Sequence, residues 1–251
     1  MPRIALVTGA NRGLGRSTAL HLAEAGIDVL LTYRSHADEA EAVAERVRAL
    51  GRTAVALRLD TADTSAFPAF ATDVRDALKR HWDREHFDAL VNNAGHGVQK
   101  PFDQTTEEDF DGLMGVHVKG VFFLTQAMLP LLRDGGHILN VSTGLTRFVA
   151  AETSAYAAAK GAVEVLTRYL AKELGPRGIA VNALAPGATA TDFNGGAVRD
   201  QAAARTALGS VTAMGRVGEP DDIGAAAAAL LAPGTAWITG QRVEASGGML
   251  L

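Results

Sequence analysis

The chain has 251 residues, 47% of them hydrophobic and 21% charged, with a formal net charge of −4. That composition describes one globular domain and argues against a disordered, collagenous or coiled-coil chain. The absence of cysteine excludes disulfide staples, zinc ribbons and thiolate catalysis. No basic surplus exists to grip a nucleic-acid backbone, and the longest apolar run, Ala225–Ala232, is far too short to span a membrane. Met1-Pro2-Arg3-Ile4 leads straight into a strand-like run without signal-peptide architecture, so a cytoplasmic location is expected.

Short apolar runs alternate with helix-length segments along the whole chain. Strands are predicted at Ile4–Thr8, Asp28–Tyr33, Ala54–Leu59, Ala89–Asn92, His137–Val141, Ala180–Leu184 and Trp237–Val243. Most read as continuous apolar runs, the pattern of strands covered on both faces. Helices are predicted at Leu14–Ala25, Asp38–Leu50, Ser65–Arg80, Glu107–Arg133 (broken or bent), Ser154–Leu174 and Asp221–Leu231. Gly26, Gly51 and Gly175 stand after three of them as C-terminal stops. The alternation predicts a single α/β domain with a parallel sheet and helices on both faces. Ligands of such sheets bind beyond the carboxyl ends of the strands, which is where chemistry is sought.

After the first strand comes Thr8-Gly9-Ala10-Asn11-Arg12-Gly13-Leu14-Gly15 and then a helix. Glycines let a backbone turn tightly and approach a pyrophosphate, and the helix N-terminus adds N–H donors and a positive dipole. The spacing is G-x-x-x-G-x-G rather than G-x-G-x-x-G. The second strand ends at Tyr33-Arg34-Ser35, where a site selective for NAD would carry an acid to bind the ribose. Arg34, with Arg12 from the glycine turn, suits a 2′-phosphate instead, so NADP(H) is the expected cofactor.

Tyr156-Ala157-Ala158-Ala159-Lys160 sets a phenol and an ammonium one helical turn apart on one face. A cation beside a phenol favours the phenolate and brings its acidity toward the working range of a general acid/base. His96, just past the fourth strand, is a candidate substrate contact, and Phe148, Val149 and Phe193 are candidate apolar walls. No metal is expected: His81 and His86 lie in a polar stretch that reads as a solvated helix end. No G-x-S-x-G elbow is present.

Taken together, these motifs resemble the short-chain dehydrogenase/reductase family over nearly the whole chain. The resemblance rests on Thr8–Gly15, Asn92-Asn93-Ala94-Gly95, Tyr156-x-x-x-Lys160, Pro186-Gly187 and Ile238-Thr239-Gly240-Gln241. Gly215-Arg216-Val217-Gly218-Glu219-Pro220 and Gly247-Gly248-Met249 are similar to the 3-oxoacyl-carrier-protein-reductase-like group. The resemblance implies a Rossmann-type doubly wound sheet of seven parallel strands, one domain over residues 1–251, and a substrate lid at about 191–210. It implies a homotetramer and a small-molecule carbonyl substrate, with no nucleic acid or membrane partner.

The family pattern also assigns residues. Gly9, Asn11, Arg12, Gly13, Leu14 and Gly15 would form the cofactor turn, with Arg34 and Ser35 beside the adenosine phosphate. Asp60 and Thr61 would meet the adenine, and Asn92, Ala94 and Gly95 the adenosine ribose side. Pro186, Gly187, Thr189 and Thr191 would meet the nicotinamide end. Tyr156 would be the general acid of reduction, and Lys160 would bind the nicotinamide ribose and depress the Tyr156 pKa. Two positions depart from the pattern. The catalytic serine is replaced by Thr143, with Ser142 before it as a stand-in. The asparagine of the proton relay is replaced by His117, which either relays a proton, titrating near neutral pH, or merely fills the space.

The reading this favours is an NADP(H)-dependent oxidoreductase acting on a ketone or secondary alcohol. A 3-oxoacyl-carrier-protein reductase is the alternative, with Arg177 as the basic residue facing an acidic carrier. A non-enzymatic dinucleotide sensor on the same fold is the alternative of another class.

Overall fold

The computed structural model describes residues 2–251. Its centre is one seven-stranded sheet in the order β3-β2-β1-β4-β5-β6-β7. The strands are β1 (Ile4–Val7), β2 (Asp28–Tyr33), β3 (Ala54–Arg58), β4 (Phe87–Asn92), β5 (Leu132–Val141), β6 (Ala180–Pro186) and β7 (Arg242–Ala245). Every neighbouring pair is parallel. The helices that cover them are α1 (Gly13–Glu24), α2 (Ala37–Ala49), α3 (Phe67–Trp82), α4 (Glu107–Met114), α5 (Val121–Met128), α6 (Ser154–Leu174), α7 (Ala197–Asp200), α8 (Ala202–Ser210) and α9 (Pro220–Leu230).

The continuous apolar strands build two cores because successive side chains point to opposite faces. Ala5, Val7, Val29, Leu31, Val91 and Leu139 pack on one face with Leu22, Val43 and Ile223 from α1, α2 and α9. Ile4, Leu6, Leu30, Leu90 and Ile138 pack on the other with Phe70, Val74, Leu124 and Met128 from α3 and α5. The order reverses between β1 and β4, so the loops after these strands diverge and open a crevice at their carboxyl ends.

The main differences from the sequence expectation lie at the last strand and in the segment before β5. The last strand is Arg242–Ala245, not Trp237–Val243. Trp237 is fully exposed, and left-handed Gly240 turns the chain into the strand. Asn182 fixes that turn by donating to the Ile238 carbonyl and accepting from the Gln241 amide. α6 ends at Leu174 as expected, with Gly175 following it at φ −51°; a short turn through Pro176 then closes at left-handed Gly178, φ +67°. The bent helix over Glu107–Arg133 becomes α4, a wider π-type turn at Gly115–Gly120, and α5, while Leu132 and Arg133 already belong to β5. Gly120 lies in that turn, where a Cβ would come within 2.2 Å of the Thr61 carbonyl. The wider turn offsets the side chains by one residue and brings His117 inward, 1% exposed.

Candidate active site

The crevice begins at the turn after β1. Gly9 and Gly13 adopt left-handed conformations, at φ +61° and +56°. A Cβ on Gly9 would lie 2.9 Å from Ala94 Cα, and one on Gly15 would lie 2.3 Å from the Gly9 carbonyl. Only hydrogen fits at either position, so the turn after β1 and the loop after β4 close on each other. Asn93 fastens them: its amide donates to the carbonyls of Thr8 and Gly9 at 2.8 and 3.1 Å. The Thr8 hydroxyl accepts from the backbone N–H groups of Asn93 and Ala94. Neither Thr8 nor Asn93 is a predicted site residue, although both lie inside the motifs that carry the family resemblance.

Arg12, the residue before α1, has an extended backbone and no side-chain cap, so no protein acceptor crosses the first turn of α1. The residues therefore fit a dinucleotide: a turn of minimal bulk leads to a helix end open to a pyrophosphate. Asn11 donates to Glu39 and Leu14 packs on the core beneath. Arg34 and Ser35 are exposed at the end of β2, and among the described residues no carboxylate pairs with the Arg34 guanidinium. Arg12 stands 3.9 Å from Asp192.

The other expected cofactor residues divide between backbone and side-chain roles. Asp60 accepts from the Ala62 amide, and Thr61 is half-buried against Gly120. The Asn92 side chain is buried and donates to Thr125 of α5 and Asn140 of β5. Asn140 in turn donates to Thr167, a link between β5 and α6 that sequence reasoning missed. Pro186 ends β6, and Gly187 approaches Ser246 too closely for any side chain. Thr189 donates to the Gly187 carbonyl, and Thr191 accepts from the Phe193 amide.

Tyr156 and Lys160 lie on the buried face of α6. The Lys160 ammonium donates to the Val141 carbonyl at 2.7 Å and stands 5.8 Å from the Tyr156 ring centre. Burial among Leu113, Ala159, Val98 and Leu145 pushes the Tyr156 phenol well above its usual range, and a hydrogen bond with Thr143 opposes this. The expected depression by Lys160 is therefore not what dominates: desolvation keeps the phenol protonated. Burial also pushes Lys160 down to about 7.

Ser142 and Thr143 follow β5 with extended geometry, so their side chains point to opposite sides. Thr143 faces Tyr156, whereas the Ser142 hydroxyl is engaged, donating to Glu164 at 2.6 Å. His117 stacks edge-on against Tyr156, with ring centres 5.4 Å apart. Its Nε2–H donates to the His96 carbonyl at 2.6 Å, and its Nδ1 is buried without a partner among the described residues. Burial, then the Lys160 charge, pushes its pKa down to about 2, so the imidazole stays neutral and does not titrate near neutral pH as expected.

His96 stands 5.7 Å from the His117 ring, at the mouth of the crevice. Burial lowers its pKa, followed by the charges of Arg34 and Lys160, so the field of Arg34 extends across the groove. Phe193 lies over Tyr156 at 5.6 Å between ring centres. It belongs to a segment in which Asn194, Gly195 and Gly196 are all left-handed, and which presses on Gly97. The Phe148 ring folds back onto Gly144 beneath Arg147. Phe102, Leu145, Val149 and Ala157 line an apolar groove of about 390 Å³ beside the start of α6. Arg177 is engaged by Asp134 and the carbonyls of Leu129 and Leu132, so it clamps the entry to β5 and is not a free basic handle. Among the described residues no cluster of His, Asp or Glu could hold a metal, and no helix is long and apolar enough to cross a membrane.

This geometry agrees with the comparison to known proteins. A family model described as enoyl-(acyl carrier protein) reductase matches residues 9–250. The chain belongs to the short-chain dehydrogenase/reductase family. Among relatives of this family, it is 35% identical over 257 aligned positions to the hydroxynaphthalene reductase-like protein Arp2 of Metarhizium brunneum, covering 98% of this chain and 94% of that one. Among solved short-chain dehydrogenase/reductases, the promiscuous reductase LugOII, which catalyses keto-reduction at C1 in lugdunomycin biosynthesis, superposes with a TM-score of 0.94 at 36% identity, covering 99% and 98% of the two chains. The angucycline C-6 ketoreductase LanV, solved with bound NADP, superposes with a TM-score of 0.93 at 36% identity, covering 99% and 95%.

Proposed function

We propose that the chain is an NADP(H)-dependent reductase of ketones, with polycyclic aromatic ketones as its substrate class. The observation that carries this reading is the meeting of Tyr156, Thr143 and Lys160 at the carboxyl end of the sheet, beside the glycine turn. Bound NADPH would supply the hydride that adds to the carbonyl carbon. Tyr156, kept protonated by burial, gives its proton to the carbonyl oxygen. The Thr143 hydroxyl donates to the same oxygen as negative charge develops on it. Lys160 holds a nicotinamide ribose hydroxyl and stabilises the phenolate that forms. His117, neutral and fixed by the His96 carbonyl, orients the inner wall of the site and offers Nδ1 as an acceptor.

The glycine turn and the open end of α1 hold the pyrophosphate, and Arg34 holds the 2′-phosphate. Asp60, Thr61 and the Asn92–Gly95 backbone take the adenosine side; Pro186, Gly187, Thr189 and Thr191 take the nicotinamide side. Phe193, on a lid that spans about 191–210, and His96 close over the substrate. The substrate class is supported by the apolar groove at Phe102, Leu145 and Val149 and by the aromatic substrates in the names of the relatives. The bound state of Arg177 weighs against an acyl carrier protein. Exposed Phe110, Phe122, Phe123, Val165 and Tyr169 on α4 to α6 support a homotetramer, which sedimentation tests.

The test is NADPH oxidation by the purified protein against bicyclic and tricyclic aromatic ketones, with an acetoacetyl thioester in parallel. Turnover of the aromatic ketones that Tyr156→Phe abolishes without loss of NADPH binding supports the reading. Normal NADPH binding with no turnover of any ketone overturns it in favour of a dinucleotide sensor.

A further inference from the structure

We infer that Glu164 and Arg242 are positioning residues for the reaction: they hold the backbone around Thr143 so that its hydroxyl meets the Tyr156 phenol and the substrate oxygen. This rests on the reading of Thr143 as the group that polarises the carbonyl.

Tyr156, Lys160 and Glu164 stand at successive turns of α6 and share one face. The polar partners of the third member of that stripe lie elsewhere. Glu164 Oε1 accepts from the Ser142 hydroxyl at 2.6 Å and from Arg242 Nε at 2.9 Å, and the Thr146 hydroxyl lies 2.7 Å away. Its side chain is only 12% exposed, so a carboxylate there needs its partners.

Arg242 arrives from the other side. It lies on β7, in register with Ala183 of β6, and its Nη2 donates to the Thr143 carbonyl at 3.1 Å. Glu244, two residues on and therefore on the same face of β7, accepts from Arg242 Nη1 at 2.8 Å. Glu244 also accepts two parallel hydrogen bonds from Arg147, both at 2.7 Å. Two arginines and two glutamates thus form a neutral network around residues 142–147.

The consequence for Thr143 is geometric. Its backbone is extended, at φ −158° and ψ 154°. Glu164 draws the Ser142 side chain to one side of the chain, which turns that of Thr143 to the other. Arg242 fixes the peptide carbonyl that follows the Thr143 side chain. Released from either anchor, residues 142–146 are free to rotate, and the hydroxyl leaves the position that serves Tyr156. Misplacement of a reacting group by about 1 Å is enough to lower turnover about a hundredfold.

The experiment is a double-mutant cycle with 2-tetralone and NADPH. Glu164→Gln and Arg242→Lys are each made in the wild type and in Thr143→Val, with NADPH affinity read from cofactor fluorescence. The expectation for each single variant is a fall in kcat of about tenfold to a hundredfold, with the KM for NADPH within about twofold of wild type. In the Thr143→Val background, Glu164→Gln should cost less than about twofold, because the group it positions is gone. Additive losses overturn the inference, since they mean a general structural role; so does loss of folding or of NADPH binding in Glu164→Gln. A silent Glu164→Gln beside an impaired Thr143→Val overturns the inference alone. A fully active Thr143→Val overturns the assignment of Thr143 as well.

Discussion

Lowering the pH from about 7.5 to about 5 should destabilise the fold by about 4 kcal/mol through two buried histidines. His117 is 1% exposed and His137 3% exposed. Burial, then the Lys160 charge, pushes His117 from 6.5 down to about 2. Burial, then the Arg3 charge, pushes His137 from 6.5 down to about 4. Both folded values lie below the unfolded one, so in the acid window between them the unfolded chain binds more protons. Stability is therefore full above about pH 6.5 and falls as the pH drops below it. Each pH unit below the unfolded value costs about 1.4 kcal/mol per histidine, which amounts to about 2 kcal/mol for each at about pH 5. That is a large share of a typical stability of about 5–15 kcal/mol.

His117→Asn removes one of the two groups and should remove half of the acid loss. Urea unfolding of both proteins at about pH 7.5 and about pH 5 measures it, and in thermal unfolding the difference at the lower pH corresponds to about 4–8 °C. Because His117 stays neutral in the folded protein, the pH–rate profile of His117→Asn should keep the wild-type shape above about pH 5. An acid loss in His117→Asn equal to that of wild type would refute the argument, since it would mean the imidazole can charge in place.

Three further outcomes are expected. Arg34→Asp should move cofactor preference from NADPH toward NADH, measured as the ratio of the two Kd values; an unchanged ratio removes Arg34 from the 2′-phosphate site. Gly15→Ala puts a Cβ 2.3 Å from the Gly9 carbonyl. It should cost about 1–3 kcal/mol in unfolding experiments and weaken NADPH binding, and an unchanged Tm would contradict the close approach. Lys160, lowered to about 7 by burial, loses its charge as the pH rises through that value. NADPH affinity should therefore fall between about pH 6.5 and about pH 8, and Lys160→Met should bind weakly with a flat pH dependence.

The alternation of apolar runs and helix-length segments was enough to read a parallel seven-stranded sheet, because strands covered on both faces need no polar positions. The same reading misplaced β7. Trp237 and Ile238 look like strand residues, but the turn held by Asn182 and Gly240 leaves them outside the sheet, and that partner lies far away in the chain. The cofactor turn and the Tyr156–Lys160 pair were legible because their geometry is local: one turn and one helix face carry each of them.

What only the tertiary structure decided are the properties that depend on what surrounds a group. The engagement of the Ser142 hydroxyl followed from Glu164, brought to it by the packing of α6 on β5. The neutrality of His117 followed from the wider turn that carries it inward, where desolvation outweighs the usual basicity of an imidazole. The raised pKa of Tyr156 came from the same enclosure. Sequence specified which functional groups are present and which of them share a helical face. Burial and long-range pairing determined their charge and direction, because both depend on the fields and contacts of residues distant in the chain.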